Sequence, residues 1–368
     1  MTATRRAQRG RRRRVLLIAR VRAAALALPA RTGCGDRLRS RWLRAPLVAA
    51  VLAMAVLNGC SDSLRQHEFA AMSTVVRVSV YGRNPDWQAF ESAAHAYASR
   101  YDHRDPASPV ARLNRDGAAD LDPLTAATLS RAVQLAEATG GAFDPTVLPV
   151  TRLWDFDGGG TLPEPAALRA ALDRVDYRRL QVTGASAVLH DAELDLGAIG
   201  KGAVVDHLAD WLADRGYRRF LLEAGGDVLV SDLKPDGTQW RIWIRHPRSA
   251  DAPLTIAAIG AAGQRVALAT SGDYERFMER DGVRYHHILN PATGHPDSDA
   301  ASVSVIAGSA IEADALATAL FVLGSGGEEL LRGGYPGIEG VIMYRAGEEL
   351  AALTSEQFPA LHGRVNVN

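Results

Sequence analysis

Beyond residue 60 the hydrophobic positions follow two periods in turn. Val76, Val78 and Val80 alternate with Arg77 and Ser79, which predicts a half-buried strand. Trp87, Phe90, Ala94, Tyr97 and Tyr101 recur at helical spacing, and Pro123 opens a second helical run that Gly140 and Gly141 close. An apolar strand ending at Asp195 leads through glycines 197, 200 and 202 into a helix whose Val204, Val205, Leu208, Trp211 and Leu212 share one side until Gly216 stops it. Trp240, Ile242 and Ile244 alternate again, and Val266 to Ala269 form another apolar strand. Strands arrive in runs between helices without one-to-one alternation, which predicts an α+β fold of mainly antiparallel sheets packed with helices. After Cys60 there is no internal repeat or low-complexity linker, and Gly158 to Gly160 make a local loop. The simplest organisation is a leader over 1–59 and one catalytic domain over 60–368.

Polar residues interrupt this pattern at a few places. In the apolar run IEADALATALFVLG, Asp314 and Thr318 stand four residues apart, so a helix stacks both on one face. A carboxylate and a hydroxyl there offer the hard oxygens that magnesium accepts. The competing reading pairs Asp314 with an arginine and turns the Thr318 hydroxyl back to its own helix. Upstream, His286 and His287 close a strand-like run before Asn290-Pro291 and the turn Thr293-Gly294, which places His287 to meet a phosphate or a proton in flight. Thr270, Ser271, Gly272 and Asp273 follow the strand Val266 to Ala269, and a glycine turn at a strand end would expose amides to an anion. The turn from Asp195 to Gly202 could cradle phosphate at a helix N-terminus. It matches neither the Walker A loop, since Gly202 follows Lys201, nor the Rossmann glycine pattern.

Charge and composition sharpen the picture. Lys201 and Lys234 are the only lysines beside 40 arginines, so a lysine at a glycine turn is a candidate point charge for phosphate, although base composition of the gene alone produces such a bias. The zero net charge hides a division: residues 1–59 carry 14 arginines and one acidic residue, Asp36, which leaves 28 basic against 41 acidic residues and a net of about −13 for the rest. An acidic body argues against nucleic acid as partner. The leader ends in a basic run, an apolar core from Ala45 to Leu57 and then Leu-Asn-Gly-Cys, which reads as a lipoprotein signal cleaved before Cys60 and acylated there. The expected address is the periplasmic side of the cell membrane through that lipid anchor, with the inner membrane preferred over the outer.

The phrases GAFDPTVLPVTRLWDF, LDLGAIGKGAVVDHLADWL, FLLEAGGDVLV, ALATSGDYERF, HHILNPATGHP and IEADALATALFVLG, in that order, resemble the FAD:protein FMN transferase family, the ApbE family, from about Met72 to about Tyr344. The resemblance implies that FAD is bound with magnesium, its pyrophosphate is cut, and FMN is transferred through a phosphoester to a Thr or Ser hydroxyl of a partner flavoprotein, releasing AMP. It further implies flavin-nucleotide contacts from Met72, Tyr101, Ala142, Phe143, Asp144, Asp195, Lys201 and Ile288. It assigns magnesium to the Ala198 carbonyl with the Asp314 and Thr318 side chains. The chain departs from the family pattern at Ser73, at Leu148, at the run Leu153 to Asp157 and in the looser stretch from Tyr101 to Arg112.

The proton of the incoming hydroxyl needs an acceptor, and His287 and Asp273 are both candidates. Water in place of the hydroxyl would make the same site an FAD pyrophosphatase, and a site without turnover would make the chain a flavin-binding lipoprotein. The chain has no flavin-accepting Asp-x-Ser/Thr-Gly-Ala-Ser/Thr segment of its own, so the acceptor is another protein, expected to belong to a membrane redox complex.

Overall fold

In the computed structural model the described residues are 63–156, 158–361 and 366–367, all within the compact unit 61–368. The leader over 1–59 and the acylation site expected at Cys60 lie outside the described residues. In chain order the elements are strands β1 (Leu64–Ala71) and β2 (Thr74–Tyr81), helices α1 (Trp87–Tyr101) and α2 (Pro109–Asp116), strand β3 (Ala118–Asp120), helices α3 (Pro123–Ala138), α4 (Leu148–Trp154) and α5 (Pro165–Leu172), and strands β4 (Leu180–Thr183) and β5 (Ser186–Leu189). Helix α6 (Gly200–Asp214) follows, then β6 (Phe220–Ala224), β7 (Asp227–Ser231), β8 (Trp240–His246), β9 (Ser249–Ile259), β10 (Arg265–Gly272), β11 (Phe277–Arg280), β12 (Val283–His286) and β13 (Ala300–Ala307). Helix α7 (Ala310–Leu323) precedes the closing strands β14 (Glu339–Ala346), β15 (Glu349–Thr354) and β16 (Asn366–Val367).

One nine-stranded sheet runs β1-β2-β6-β7-β10-β13-β14-β15-β16, antiparallel at every junction except β15 with β16. Its strands divide their side chains between two cores by the two-residue period. Leu229, Ala267, Ala269, Val303, Val305 and Ile342 face the helical layer, whereas their neighbours Val228, Val230, Leu268, Val341 and Met343 face the β8–β9 ribbon. That ribbon presents Trp240, Ile244, Leu254, Ala257 and Ile259 to the second core, as the alternation in β8 predicts. The sheet is thus covered on both faces, and the α+β expectation holds.

Helix starts follow the local chemistry. Asp86 caps α1 through Ala89 N, Ser108 caps α2 through Ala111 N, and Asp122 caps α3 through Leu124 N and Thr125 N. Helix α6 and helix α7 have no such cap from their own preceding residue. Helix α7 is apolar nearly all round and lies buried against β10, β13 and α6, as a helix at the centre of a packed core does.

Two sequence expectations change. Asp195 does not end a strand: its segment is an extended loop with one parallel bridge between Val147 and Glu193, held also by Asp195 N bonding Pro145 O and by the Asn114 side chain bonding Leu194 N and O. Thr270 to Gly272 are no turn either, because β10 continues to Gly272 and pairs with β13 as far as Ser302. Their pairing with β13 makes them strand rather than turn, while on the other edge β10 pairs with β7 only as far as Leu268.

Candidate active site

The site forms where the start of α6, the start of β7 and the middle of α7 meet. Gly225 and Gly226 join β6 to β7 in a two-residue hairpin, both with left-handed φ of 57° and 95°. The turn delivers Asp227, the first residue of β7, into the interior, where it is 1% exposed. Beside it lies the β1–β2 turn, Met72-Ser73, also left-handed at φ 52° and 56°, and Thr74 would contact a Cβ on Gly225. Two non-glycine residues in that region cost roughly 1 kcal/mol or more each, which marks the Met72 tip as a held conformation.

Lys201 sits in the first turn of α6, with Nζ 3.0 Å from Asp314 Oδ1 and 3.4 Å from Asp227 Oδ2. Gly202 N donates to Asp314 Oδ2 at 3.0 Å, so Asp314 supplies from α7 the cap that α6 lacks. As their spacing predicts, Asp314 and Thr318 share a face, and Thr318 Oγ1 lies 3.3 Å from Ser271 Oγ on β10. The partner of Asp314 is a lysine rather than the arginine of the competing sequence reading.

Two carboxylates share one ammonium, and the balance shows in the acidities. Burial and the neighbouring Asp314 charge push the Asp227 carboxyl well above the usual carboxylate range, and Lys201 offsets this only in part. The Lys201 ammonium is held above its ordinary value by the same two carboxylates, against the cost of burial. Asp227 Oδ2 is buried and receives no hydrogen bond. A buried oxygen in that state, in a cluster that carries one negative charge in excess when both carboxylates are ionised, fits a hard cation. Among the described residues no three His, Cys, Asp or Glu side chains converge on one point. A cation held by Asp314, Asp227 and the Thr318 hydroxyl must complete its shell with neutral oxygens and substrate, the pattern magnesium shows with phosphate ligands.

The turn leading to α6 is braced internally. Asp195 Oδ1 accepts from Gly197 N at 2.8 Å, and Gly200 N bonds Leu196 O. Ala198 lies in this turn, partly buried against the core.

His287 follows β12, half-buried, with Nδ1 3.1 Å from Arg276 O. Burial and the adjacent Arg276 guanidinium push its pKa down to about 3, and Lys201 acts in the same sense from the site. The ring is therefore neutral, and opposite a carbonyl its Nδ1 carries the hydrogen, which leaves Nε2 as an acceptor. His286 is 2% exposed, edge-on to Phe321, with both nitrogens lacking hydrogen-bond partners, and its pKa is pushed down to about 4 by burial. Ile288 is buried beside His287.

Other expected site residues have their side chains engaged within the fold. Asp273, fully buried, takes both Arg248 amino nitrogens at 2.7 and 2.6 Å, so its oxygens are occupied and it is not placed to accept a proton. The Tyr101 side chain is buried, with its hydroxyl bonded to Thr128 and His207, and Asp144 accepts from Thr146 N, Thr146 Oγ1 and Tyr177 N. Phe143 and Ala142 are core side chains. For Tyr101 and Asp144 the polar atoms that would meet a nucleotide are already satisfied. Asp227 was not singled out from the sequence, because an Asp after Gly-Gly reads as ordinary turn chemistry; its signal was the apolar run on both sides, which carries a carboxylate inward.

A family model described as the ApbE family matches residues 72–342. The chain belongs to the ApbE family. It is 33% identical over 303 residues to the FAD:protein FMN transferase of Treponema pallidum, covering 74% of this chain and 82% of that one. It is 35% identical over 227 residues to the protein of that name from Vibrio cholerae, covering 59% and 67%. Among solved structures, the ApbE protein of Thermotoga maritima superposes with a TM-score of 0.72 at 30% identity, over 80% of this chain and 97% of that one. The flavinyl transferase ApbE of Pseudomonas stutzeri in its apo form gives 0.70 at 28%, over 80% and 95%. As a member of this family the chain is an enzyme, a flavin transferase.

Proposed function

We propose that this enzyme transfers the FMN moiety of FAD to a Thr or Ser hydroxyl of a partner flavoprotein, with magnesium held at Asp314. The observation that carries the reading is the Asp227–Lys201–Asp314 cluster beside the glycine turn, in which two buried carboxylates share one ammonium and an Asp227 oxygen has no hydrogen bond. Magnesium at this point would withdraw charge from the phosphorus under attack and stabilise the departing phosphate. Asp314 and Thr318 would hold the ion, with Asp227 and the Ala198 carbonyl completing the protein's share. With magnesium held by the carboxylates, the Lys201 ammonium would be free to turn to a phosphate oxygen of FAD. Asp195 keeps the turn in shape, and Met72 and Ile288 supply apolar contact for the flavin nucleotide. The acceptor hydroxyl oxygen bonds to the FMN phosphorus, the pyrophosphate P–O bond breaks, and AMP leaves. The hydroxyl proton passes to Nε2 of the neutral His287 ring, since Asp273 is closed by Arg248.

The leader adds an address: a mature protein starting at lipidated Cys60, on the periplasmic side of the inner membrane, where a membrane redox complex could present its flavoprotein subunit. Support comes from the basic run, the apolar core and the Leu-Asn-Gly-Cys ending. A Cys60→Ser variant that still fractionates with membranes and keeps a diacylglyceryl mass would refute the address.

The activity is tested by incubating purified protein with FAD, magnesium and a fragment of a candidate acceptor. A mass gain of one FMN on the fragment with an equal amount of AMP, both lost with chelator, is the expected result. FAD cleaved to FMN and AMP without a mass gain in the presence of acceptor would mean a pyrophosphatase. FAD bound and left intact would mean a binding module.

A further inference from the structure

Helices α6 and α7 clasp one another by exchanged carboxylates. Asp314 of α7 reaches the first turn of α6 at Gly202 N, and Asp206 of α6 reaches the first turn of α7, its Oδ1 accepting from Ala310 N and its Oδ2 from Ile311 N, both at 2.9 Å. Both helices lack a side-chain cap from their own preceding residue, so each takes its cap from the other. A Cβ on Gly202 would lie 2.3 Å from the Ala310 carbonyl oxygen, so the two helix starts meet backbone to backbone at Gly202 and Ala310, beside both bonds. Asp206 is exchanged for nothing else in the cluster, and it does not touch Lys201, Asp227 or Asp314 in any hydrogen bond or ion pair described.

We propose that Asp206 is a positioning residue for the site: by pinning the first turn of α7 to α6, it holds Asp314 at the distance where one oxygen bonds Gly202 and the other faces Lys201 and the metal. The role of Asp314 in metal binding rests on the function proposed above; the clasp itself does not. One anchored end of a rigid helix fixes the register of a side chain four residues further on, since the backbone between them has no other freedom. Burial pushes the Asp206 carboxyl up to about 6, with Arg265 on β10 opposing and Asp210 on α6 adding to the shift. Ionised above that value, it accepts from both amides at once; protonated, it keeps fewer accepting lone pairs for them.

The test uses the full-length protein, with Asp206→Ala and the milder Asp206→Asn, which keeps the volume and one accepting oxygen. Amide exchange is read at Ala310, Ile311 and Gly202, and transfer is followed as magnesium is titrated. Exchange at Gly202, whose partner is Asp314 and not Asp206, should quicken together with that at Ala310 and Ile311. The half-saturating magnesium concentration should rise by about tenfold in Asp206→Ala and less in Asp206→Asn, with the rate at saturating magnesium within about threefold of the parent. The magnesium-induced rise in melting temperature should shrink in the same order. If Ala310 and Ile311 open while Gly202 stays protected, or if melting falls while the magnesium requirement is unchanged, Asp206 only supports the fold and the inference is overturned. Should Asp206→Ala fail to fold, Asp206→Asn decides by the same readings. A parent protein that transfers no flavin would sink the proposed function, while exchange at Gly202 would still judge the clasp.

Discussion

Two buried aspartates, Asp273 and Asp227, show how much the surroundings of a carboxylate decide. Asp273 is fully buried and meets an arginine of its own with two short bonds, so its charge and its oxygens are both accounted for. Asp227 is 1% exposed, shares one lysine with Asp314 and keeps an oxygen without a hydrogen bond. The first arrangement is closed and can only be broken. The second is short of positive charge and gains by binding more. Burial alone therefore does not mark a functional carboxylate; the charge left uncompensated does.

The largest test of this contrast is to neutralise one member of each arrangement. Asp314→Asn should lower flavin transfer by orders of magnitude, because the charge that holds the metal is gone, while melting without magnesium changes little or rises. Asp273→Asn should do the reverse. It strands the Arg248 charge, and because that guanidinium is one-third exposed and keeps water, the cost is put at about 2 kcal/mol rather than the larger loss of a fully buried pair, independent of magnesium. Thermal melting with and without magnesium, beside transfer rates, separates the two; equal behaviour of the variants would break the comparison.

Asp227→Asn comes next. It removes the surplus charge but leaves Asp314 with Lys201, so the magnesium requirement for transfer should rise by roughly tenfold or more while the metal-free protein becomes more stable. A variant with unchanged magnesium titration would remove Asp227 from the site. Lys201→Met is expected to act through both halves of the argument. Sequence position suggests that a turn lysine can be removed without harm to folding, but here it separates two buried carboxylates. The variant should melt lower than the parent without magnesium and recover much of the difference when magnesium is added, as well as binding FAD more weakly.

The smallest effect lies in pH. Asp227 has a raised folded pKa, so its contribution to stability is present below the ordinary carboxylate value of about 4 and is lost as pH rises through the folded value. His286 and His287 have depressed values of about 4 and about 3, so theirs is present above about 6.5 and is lost as pH falls through the folded values. Metal-free melting curves should show both slopes, and Asp227→Asn should flatten only the one along which stability falls as pH rises. Transfer itself should show no loss from protonation of His287 until the pH nears that low value. An acid limb of the rate that disappears in His287→Gln but sits near neutrality would contradict the neutral ring described above.

Much of the fold could be read in the chain because it depends on local period. The alternation in β2 and β8, the capped starts of α1 and α3 and the shared face of Asp314 and Thr318 all need only neighbours in sequence. The loop before α6 was misread as a strand because an apolar run buried among helices has the same composition as one in a sheet. The resemblance singled out Tyr101 and Asp144, but whether their polar atoms were free depended on Thr128, His207, Thr146 and Tyr177, two of which lie more than 30 residues away.

By itself, the sequence determined the class of fold, the helix face bearing Asp314 and Thr318, the glycine turn with Lys201 and the membership of a flavin transferase family, since periodicity and ordered motifs are carried along the chain. Only the tertiary structure decided which carboxylates are spent and which are open. Asp227 meets Lys201 across 26 positions and Asp314 across 87, Arg248 reaches Asp273 from the turn between β8 and β9, and Asp206 crosses 104 positions to the start of α7. Electrostatic balance in a buried cluster is set by distances in space, and no period along a chain encodes the sum of charges that folding brings together.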